Sequence, residues 1–305
     1  MSEISALHQT LIDKLKREKL IRTPTVEAAF RAVPRHLFLP DEPLEEVYQN
    51  RAIVTKQLDG QPVSSSSEPA VMAIMLEQLD LKPGHRVLEI GAGTGYNAAL
   101  IAHIVGDTGQ VIAVDIDEDI AENARKHLAV AGFDTVQVTC TDGGFGYPSA
   151  APYDRIILTV GAWDIAPAWQ EQLKPNGRLL LPLTLRENVQ LTVAFESADG
   201  YLESVSASNC GFIKLRGAFA EPQEFKNTQK AKEKPLEKLF TQIAEILLLP
   251  MPIDLQLKLY NQLTFGRPSL ETLRIRAYPL EMDYLLSANE SVIVKRWTQL
   301  VLNWQ

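Results

Sequence analysis

The chain has 305 residues, of which 46% are hydrophobic and 22% charged, and these proportions exclude a protein that is disordered throughout. Its formal net charge of -8 makes nucleic acid an unfavourable partner, because an acidic surface repels phosphate groups. Cys140 and Cys210 have no cysteine or histidine at metal-ligand spacing, so we expect free thiols and no metal site. Met1–Lys19 lacks the features of a signal peptide, and no apolar stretch reaches the roughly 20 residues of a membrane span. We therefore expect a cytoplasmic protein with no membrane partner.

The first 80 residues predict a mainly helical region that contains a polar loop. Apolar side chains recur at helical spacing near the start of the chain, at Leu7, Leu11, Ile12 and Leu15. Residues 60–67 include four consecutive serines and predict the polar loop. Pro69–Leu79 has apolar residues three and four positions apart, which predicts a further helix.

From residue 81 the chain alternates between short apolar runs and amphipathic segments. The predicted strands are residues 86–90, 110–116, 135–141, 155–160 and 178–183, and the predicted helices are residues 96–105, 119–131 and 166–173. Two further predicted strands, 188–197 and 201–208, are joined by Asp199-Gly200, a typical hairpin turn. Strands that alternate with helices favour a doubly wound α/β fold, with a mostly parallel sheet covered on both faces.

The composition changes again after residue 216. Residues 221–238 are rich in lysine, glutamate and glutamine and contain two prolines, which is typical of a solvated connection. Helices are predicted beyond it, at residues 236–249, 254–265 and 289–304. We therefore expect three parts, namely an N-terminal helical region with the serine loop (1–80), an α/β core (81–217) and a helical C-terminal extension (218–305).

The densest chemical signal is a glycine loop between the first predicted strand of the sheet and the helix after it. The loop consists of Gly91, Ala92, Gly93, Thr94 and Gly95. Glycines let a backbone turn sharply and approach a ligand closely, although a tight turn that binds nothing is the alternative. A dinucleotide-binding loop would place its third glycine one position later. With Glu89 before it, the loop instead resembles motif I of class I methyltransferases, which packs against the methionine part of S-adenosylmethionine.

Further acidic residues stand at the ends of the next two predicted strands. Asp115, followed by Ile116, ends the second strand, where a carboxylate can accept hydrogen bonds from both hydroxyls of a ribose. Asp142-Gly143 follows the third strand, where the carboxylate could accept a hydrogen bond from an adenine amino group. The acidic residues 117–119 are expected to form a solvated helix start. Because the carboxyl ends of parallel strands meet at one edge of a sheet, these acids and Glu89 predict one ligand crevice.

Motifs outside the glycine loop resemble the protein-L-isoaspartate O-methyltransferases in order and spacing over residues 25–217. They are Val33-Pro34-Arg35 with Phe38 and Pro40, Tyr48 and Asn50, Gly60-Gln61, Asp142-Gly143 with Gly146-Tyr147, residues 151–154, residues 172–178 and Leu181-Pro182. The resemblance implies a class I methyltransferase fold, S-adenosylmethionine as cofactor and a protein or peptide as partner. It also implies methyl esterification of L-isoaspartyl carboxylates, which then form succinimides and allow repair.

The resemblance also implies an active-site serine in the serine loop, where it would donate a hydrogen bond that orients the substrate carboxylate. The family's loop usually reads G-Q-T-I-S and is soon followed by proline, whereas the loop here is longer. Counted from the start of the loop, the serine is Ser64. Counted from its end, it is Ser67, which we prefer because it fits the register of the following helix. Ser65 and Ser66 are the other candidates, and a polar linker without a function is the structural alternative.

A substrate carboxylate, with an ordinary pKa of about 4, is already ionised at pH 7, so its methylation needs no general base. Two other functions stay open. Relatives with a similar extension methylate one aspartate of a dedicated, ribosomally made peptide, and the altered serine loop suits a non-catalytic scaffold that binds S-adenosylmethionine. Trp163, at the end of the fourth predicted strand, is expected either to wall the substrate cleft or to cap the sheet.

Overall fold

The computed structural model describes residues 3–186, 189–198 and 201–222. Its helices are Glu3–Arg17 (α1), Pro24–Ala32 (α2), Leu44–Val47 (α3), Pro69–Leu79 (α4), Tyr96–Val105 (α5), Glu118–Val130 (α6) and Pro167–Glu171 (α7). Its strands are Ile53–Leu58 (β1), Gln61–Ser66 (β2), Arg86–Ile90 (β3), Gln110–Asp115 (β4), Gln137–Cys140 (β5), Tyr153–Leu158 (β6), Leu173–Arg186 (β7), Val189–Ala198 (β8) and Tyr201–Cys210 (β9). Within these residues, no helix is both long and apolar enough to cross a membrane.

Seven strands form the central sheet, in the order β5-β4-β3-β6-β7-β8-β9. The neighbours from β5 to β7 are parallel, and β8 and β9 add antiparallel strands at one side. The chain winds from β3 outward to β5 and then returns to β6, so the strand order reverses between β3 and β6. The predicted doubly wound, mostly parallel sheet is confirmed, and its carboxyl edge at β3 is where such folds bind their ligands.

Two hydrophobic cores lie on opposite faces of this sheet. Val87 and Leu88 are successive, fully buried residues of β3 that belong to different cores, because successive side chains of a strand point to opposite faces. The first core packs α1, α2, α4, α5 and α6 against the sheet, and the second contains Trp169 of α7. The helices of the N-terminal region therefore share a core with the sheet, and the boundary at residue 80 stays a prediction.

The helices at the start of the chain agree with the apolar periodicity. α1 buries Leu11, Ile12 and Leu15, and α4 has the predicted bounds. The prediction of a loop over residues 60–67 is wrong, because β1 and β2 pair there as an antiparallel hairpin. Asp59 (φ 50°) and Gly60 (φ 73°) both have positive φ, as the type I′ two-residue hairpin turn requires. The sequence signal for this hairpin was Asp59-Gly60, which follows a strand that starts with three β-branched residues. The serine-rich composition of β2 obscured that signal.

The remaining predictions differ from the structure mainly at their ends. β7 begins at Leu173, where the last residue of a helix was predicted, and it extends to Arg186. β8 and β9 confirm the two antiparallel strands that follow, whereas their predicted turn at residues 199–200 lies outside the described residues. The three helices predicted after residue 235 also lie outside the described residues.

Candidate active site

The glycine loop leaves β3 at Ile90 and reaches α5 at Tyr96. Gly91 has φ +100°, a conformation that side-chain-bearing residues rarely adopt. A Cβ atom on Gly91 would lie 2.7 Å from Thr159 Oγ1 and 3.0 Å from Val160 Cγ1, at the end of the neighbouring strand β6. Glycine at this position therefore keeps a narrow space open between the carboxyl ends of β3 and β6.

A cleft enclosing about 850 Å³, part of it open to solvent, lies over this loop. It brings together most of the residues that the sequence predicts for the site. Those that line it are Ser64, Ser65, Ser66, Ser67, Glu89, Gly91, Ala92, Gly93, Thr94, Asp115, Ile116 and Gly143. Gly95 and Asp142 do not line it. Gly95 is instead the N-cap of α5, with φ +87°, and a Cβ atom on it would lie 3.1 Å from Leu128 Cγ of α6.

Glu89 places a buried carboxyl group in the wall of the cleft. Its side chain is fully buried, and Oε1 accepts a hydrogen bond of 2.7 Å from Asn97 Nδ2. Oε2 has no hydrogen-bond partner among the described residues. Burial raises the pKa of Glu89 to about 8, against the opposing effect of the Asn97 hydrogen bond. An unpartnered, buried carboxyl oxygen beside a cleft favours a ligand that brings a positive charge or a hydrogen-bond donor.

The raised pKa of Glu89 makes stability depend on pH. Between its ordinary value of 4.5 and about 8, the carboxyl is protonated in the folded protein and ionised in the unfolded chain, so Glu89 lowers the free energy of unfolding as pH rises. Glu89→Gln resembles the protonated carboxyl. We expect it to match the wild type near pH 4.5 and to exceed its free energy of unfolding by about 4 kcal/mol at pH 8. Denaturant unfolding of both proteins measures this difference, and a difference that does not change with pH would contradict the assignment.

Asp115 faces the glycine loop from the end of β4. Its Oδ2 accepts a hydrogen bond of 3.0 Å from Gly93 N, and its Oδ1 accepts one of 3.2 Å from Asp117 N. Burial raises the pKa of Asp115, although both backbone hydrogen bonds oppose the shift. Each carboxylate oxygen has a second lone pair. The position therefore suits the predicted contact with two ribose hydroxyls.

Asp142 does not line the cleft, whereas Gly143, which the sequence predicts with it as part of the site, does. Its Oδ1 accepts a hydrogen bond of 2.8 Å from Gly144 N, and its Oδ2 accepts one of 2.6 Å from Ala218 N. The carboxylate thus holds the backbone of a distant segment rather than facing the cleft. The contact with an adenine amino group stays a prediction, and Gly143 is the residue of this pair that lines the cleft.

A segment that the sequence analysis missed forms another wall of the cleft. Residues 211–220, here called the strap, follow β9 and supply lining residues Ile213, Lys214, Leu215 and Arg216. Gly161 N donates a hydrogen bond to Ile213 O, and Leu215 N donates one to Gly161 O, both with a length of 2.8 Å. The strap therefore runs beside the end of β6. No glycine, acid or serine motif marks these residues in the sequence. Tertiary contacts, among them the pairing with Gly161, place them at the site.

Trp163 anchors the strap and does not line the cleft. Its ring stacks on Phe219 with centroids 5.4 Å apart, and its Nε1 donates a hydrogen bond of 3.0 Å to Phe219 O. Phe219 also makes an edge contact with Trp169 of α7, again at 5.4 Å between centroids. Of the two predicted roles of Trp163, the structure therefore favours packing at the end of the sheet.

Asp117 connects the strap to the hairpin of β1 and β2, here called the serine hairpin, although the sequence predicts a solvated helix start at this residue. Its Oδ2 lies 2.7 Å from Arg216 Nη2 of the strap and 3.1 Å from Lys56 Nζ of β1. The hydrogen bond from Arg216 lowers the pKa of Asp117, with a further contribution from Lys56. Two segments that wall the cleft are thus linked through one carboxylate.

The four serines divide into two pairs. Ser64 and Ser66 are buried, and their hydroxyls lie 3.0 Å from Thr55 Oγ1 and 3.4 Å from Arg35 Nη2 respectively. Ser65 and Ser67 are half-buried, and among the described residues their hydroxyls have no hydrogen-bond partner. Ser67 also lies one residue beyond the last residue of β2 that pairs with β1. The geometry therefore leaves the hydroxyls of Ser65 and Ser67 available to a ligand.

Comparison with known sequences places this cleft in a family. The family model for protein-L-isoaspartate(D-aspartate) O-methyltransferase matches residues 6–219. The protein named protein-L-isoaspartate O-methyltransferase from Methanopyrus kandleri is 38% identical over 218 residues, which cover 70% of this chain and 94% of that protein. The match therefore includes the serine hairpin, the glycine loop and the strap.

Solved structures show the same fold. One named protein-L-isoaspartate O-methyltransferase matches with a TM-score of 0.66 at 34% identity, over 72% of this chain and 69% of its own. A structure from Plasmodium falciparum, in complex with S-adenosyl-L-homocysteine, matches with a TM-score of 0.59 at 18% identity, over 68% of this chain and 98% of its own. Because one family model spans the hairpin, the glycine loop and the strap that together wall the cleft, this chain belongs to the protein-L-isoaspartate(D-aspartate) O-methyltransferase family.

Proposed function

We propose that this chain uses S-adenosylmethionine to methyl-esterify the free carboxylate of L-isoaspartyl residues in proteins or peptides, which leads to succinimide formation and repair. The family and the similarity to enzymes of that name support this activity. The observation that carries the proposal is that the glycine loop, the buried Glu89 carboxyl and the serine strand β2 line one cleft. One cleft can thus hold a methyl donor beside an acceptor.

The residues of the cleft fit S-adenosylmethionine. The positively charged methionine part of the molecule suits the unpartnered Oε2 of Glu89, because a nearby positive charge lowers the raised pKa of this carboxyl and favours its ionised form. The Asp115 carboxylate suits the ribose hydroxyls. The absence of a side chain at Gly91 leaves the loop free to approach the ligand closely. When bound, S-adenosylmethionine supplies an electrophilic methyl group on a positively charged sulfur.

The proposed role of the serines on the acceptor side of the cleft is to orient the substrate carboxylate. An isoaspartyl carboxylate is ionised at neutral pH and is already nucleophilic, so this chain has to position it and exclude water rather than remove a proton. We assign its orientation to the Ser67 hydroxyl, with Ser65 as the alternative, because both residues line the cleft and their hydroxyls have no hydrogen-bond partner among the described residues. A hydroxyl donates one hydrogen bond and leaves the carboxylate its charge.

Methyl transfer to two synthetic peptides tests the proposed function. The peptides differ only in carrying aspartate or isoaspartate, and the methyl group of S-adenosylmethionine is labelled. We expect label on the isoaspartyl peptide alone. Label on neither peptide, with S-adenosylmethionine binding confirmed by calorimetry, would contradict general repair. That result would favour an aspartate methyltransferase dedicated to one peptide, or a scaffold that binds the cofactor without catalysis.

Alanine substitution of each serine decides which hydroxyl orients the acceptor. We expect Ser67→Ala to lower kcat/KM for the isoaspartyl peptide roughly 10- to 100-fold, the value of one hydrogen bond to a charged group. The affinity for S-adenosylmethionine should stay unchanged. Ser64→Ala is the matched control, because the Ser64 hydroxyl already bonds with Thr55. A larger loss for Ser64→Ala than for Ser67→Ala would reverse the assignment and support the alignment counted from the start of the loop.

A further inference from the structure

Arg35 is a buried cation directly behind the serine strand. It begins a short 3-10 helix after α2, and its side chain is fully buried. Its guanidinium lies within hydrogen-bond distance of five backbone carbonyl oxygens, those of Val47, Gln49, Arg51, Ser66 and Ser67. The two shortest of these bonds join Nη1 to Val47 O at 2.8 Å and Nη2 to Ser67 O at 3.0 Å. One side chain thus connects residues 47–51 to the end of β2.

The positive charge of Arg35 has no ion-pair partner among the described residues. The acid that acts on it electrostatically is Glu68, whose Oε1 accepts a hydrogen bond of 2.6 Å from Asn50 instead. Burial lowers the pKa of Arg35, but a guanidinium keeps its proton in a protein. Neutral groups, five backbone carbonyls and the Ser66 hydroxyl, therefore supply the direct contacts to a charge whose removal from water is costly. An apolar side chain of similar size would avoid this cost, but it would leave the carbonyls of Ser66 and Ser67 without this donor.

The contact with Ser67 reaches a part of the chain that the hairpin does not hold. The pairing of β1 with β2 ends at Ile53 and Ser66, and α4 begins at Pro69. Ser67 therefore lies between two regular elements, and its carbonyl is held by Arg35. Fixing the carbonyl fixes the backbone of Ser67, and with it the direction in which the side chain of this cleft-lining residue leaves the chain.

We propose that Arg35 is a positioning residue of the methyl-transfer site. Its guanidinium holds the carbonyls of Ser66 and Ser67 so that the Ser67 hydroxyl faces the cleft, and its positive charge, which has no ion-pair partner among the described residues, attracts the acceptor carboxylate to that hydroxyl. This inference rests on the proposed function, because it concerns the orientation of an isoaspartyl carboxylate. It adds a residue that touches neither the cofactor nor the acceptor.

Two substitutions separate the hydrogen bonds of Arg35 from its charge. Arg35→Lys keeps the charge but replaces the planar fork by a single ammonium, which cannot reach both groups of carbonyls in the same geometry. We expect it to lower kcat for the isoaspartyl peptide roughly 10- to 100-fold, as loss of the oriented Ser67 bond would, with little change in KM. Arg35→Gln keeps a planar donor and loses the charge, so we expect it also to raise KM for the peptide. The affinity for S-adenosylmethionine, measured by calorimetry, should be that of the wild type in both variants.

Arg155 offers a matched control. It is also buried, and its guanidinium donates to the carbonyls of Leu79, Asp80 and Asp154 at 2.7 to 3.0 Å, but it does not line the cleft. We expect Arg155→Lys to lower the melting temperature and leave kcat and KM unchanged. If Arg35→Lys and Arg155→Lys lowered stability alike and neither lowered kcat, the positioning role would be wrong. Loss of cofactor binding in both Arg35 variants would also overturn it, because Arg35 would then support the whole fold.

A double-mutant cycle tests whether Arg35 acts through Ser67. We expect Arg35→Lys combined with Ser67→Ala to lower kcat no further than the more damaging single change, because both would remove the same hydrogen bond. Losses that multiply would show that the two residues act separately and would contradict the proposal. Failure of the proposed function gives a different result. The wild-type protein itself would then label no isoaspartyl peptide, whereas failure of the Arg35 proposal appears only when the variants are compared with an active wild type.

Discussion

Gly91→Ala is expected to weaken the binding of S-adenosylmethionine roughly 100-fold, because the new side chain strains the loop and crowds the cleft at once. Gly91 has φ +100°, and the added Cβ would lie 2.7 Å from Thr159 Oγ1 and 3.0 Å from Val160 Cγ1. Thr159 cannot move away freely, because its Oγ1 donates a hydrogen bond of 2.5 Å to Gly91 O. The loop has to shift toward the space that the ligand would fill. Calorimetric titration with S-adenosylmethionine measures the loss.

Gly132→Ala controls for the backbone conformation alone. Gly132 has φ +80° in the turn between α6 and β5, and no atom lies within 4 Å of the position that its Cβ would take. We expect this variant to lose about 1 kcal/mol of stability and to bind S-adenosylmethionine as the wild type does. If Gly91→Ala bound the cofactor as tightly as Gly132→Ala, the glycine loop would not be the cofactor loop.

Asp115→Ala is expected to weaken S-adenosylmethionine binding by a similar factor, roughly 100-fold, through the loss of two hydrogen bonds from ribose hydroxyls to a carboxylate. The carboxylate is held toward the glycine loop by the 3.0 Å hydrogen bond from Gly93 N, so its orientation does not depend on the ligand. Asp115→Asn keeps one acceptor oxygen, and we expect an intermediate loss. The dissociation constants of the three proteins, measured at one pH and ionic strength, give the ranking.

An exposed acid serves as the control for net charge. Asp107→Ala removes the same charge from the turn before β4, outside the cleft, and we expect unchanged cofactor affinity. A ranking in which Asp115→Asn binds as weakly as Asp115→Ala would show that the charge, and not the count of acceptors, determines binding. Wild-type affinity in Asp115→Ala would remove Asp115 from the site.

The sequence predicted the bounds of strands and helices best where a strand pattern of apolar residues is followed directly by a helix pattern. The apolar run before Gly91 and the apolar helix after Gly95 predict β3 and α5 with the bounds that the structure shows. The order of alternating strands and helices predicts parallel pairing, and parallel pairing brings Glu89, Asp115 and Gly143 to one edge. These inferences succeed because strand alternation, helical periodicity and the conformational freedom of glycine act over a few residues.

The serine hairpin marks the limit of such reasoning. The turn at Asp59-Gly60 is a local signal, but serine has little preference for strands, so composition favoured a loop. The pairing of β2 with β1 decides which hydroxyls are buried and which line the cleft. Which serine hydroxyl is available to a ligand thus depends on a strand register that the serine-rich sequence does not contain.

By itself, the sequence determined the doubly wound sheet, the glycine loop at its carboxyl edge and the family to which the chain belongs. Only the tertiary structure decided that Asp142 holds the strap, that Asp117 ties Arg216 to Lys56, and that Arg35 lies behind Ser67. The contacting residues are far apart in the chain. Asp142 and Ala218 are separated by 76 positions, Asp117 and Arg216 by 99, Lys56 and Asp117 by 61, and Arg35 and Ser67 by 32. Hydrogen bonds and ion pairs of this kind depend on where the folded backbone brings distant segments together, whereas sequence patterns report the geometry and burial of nearby residues.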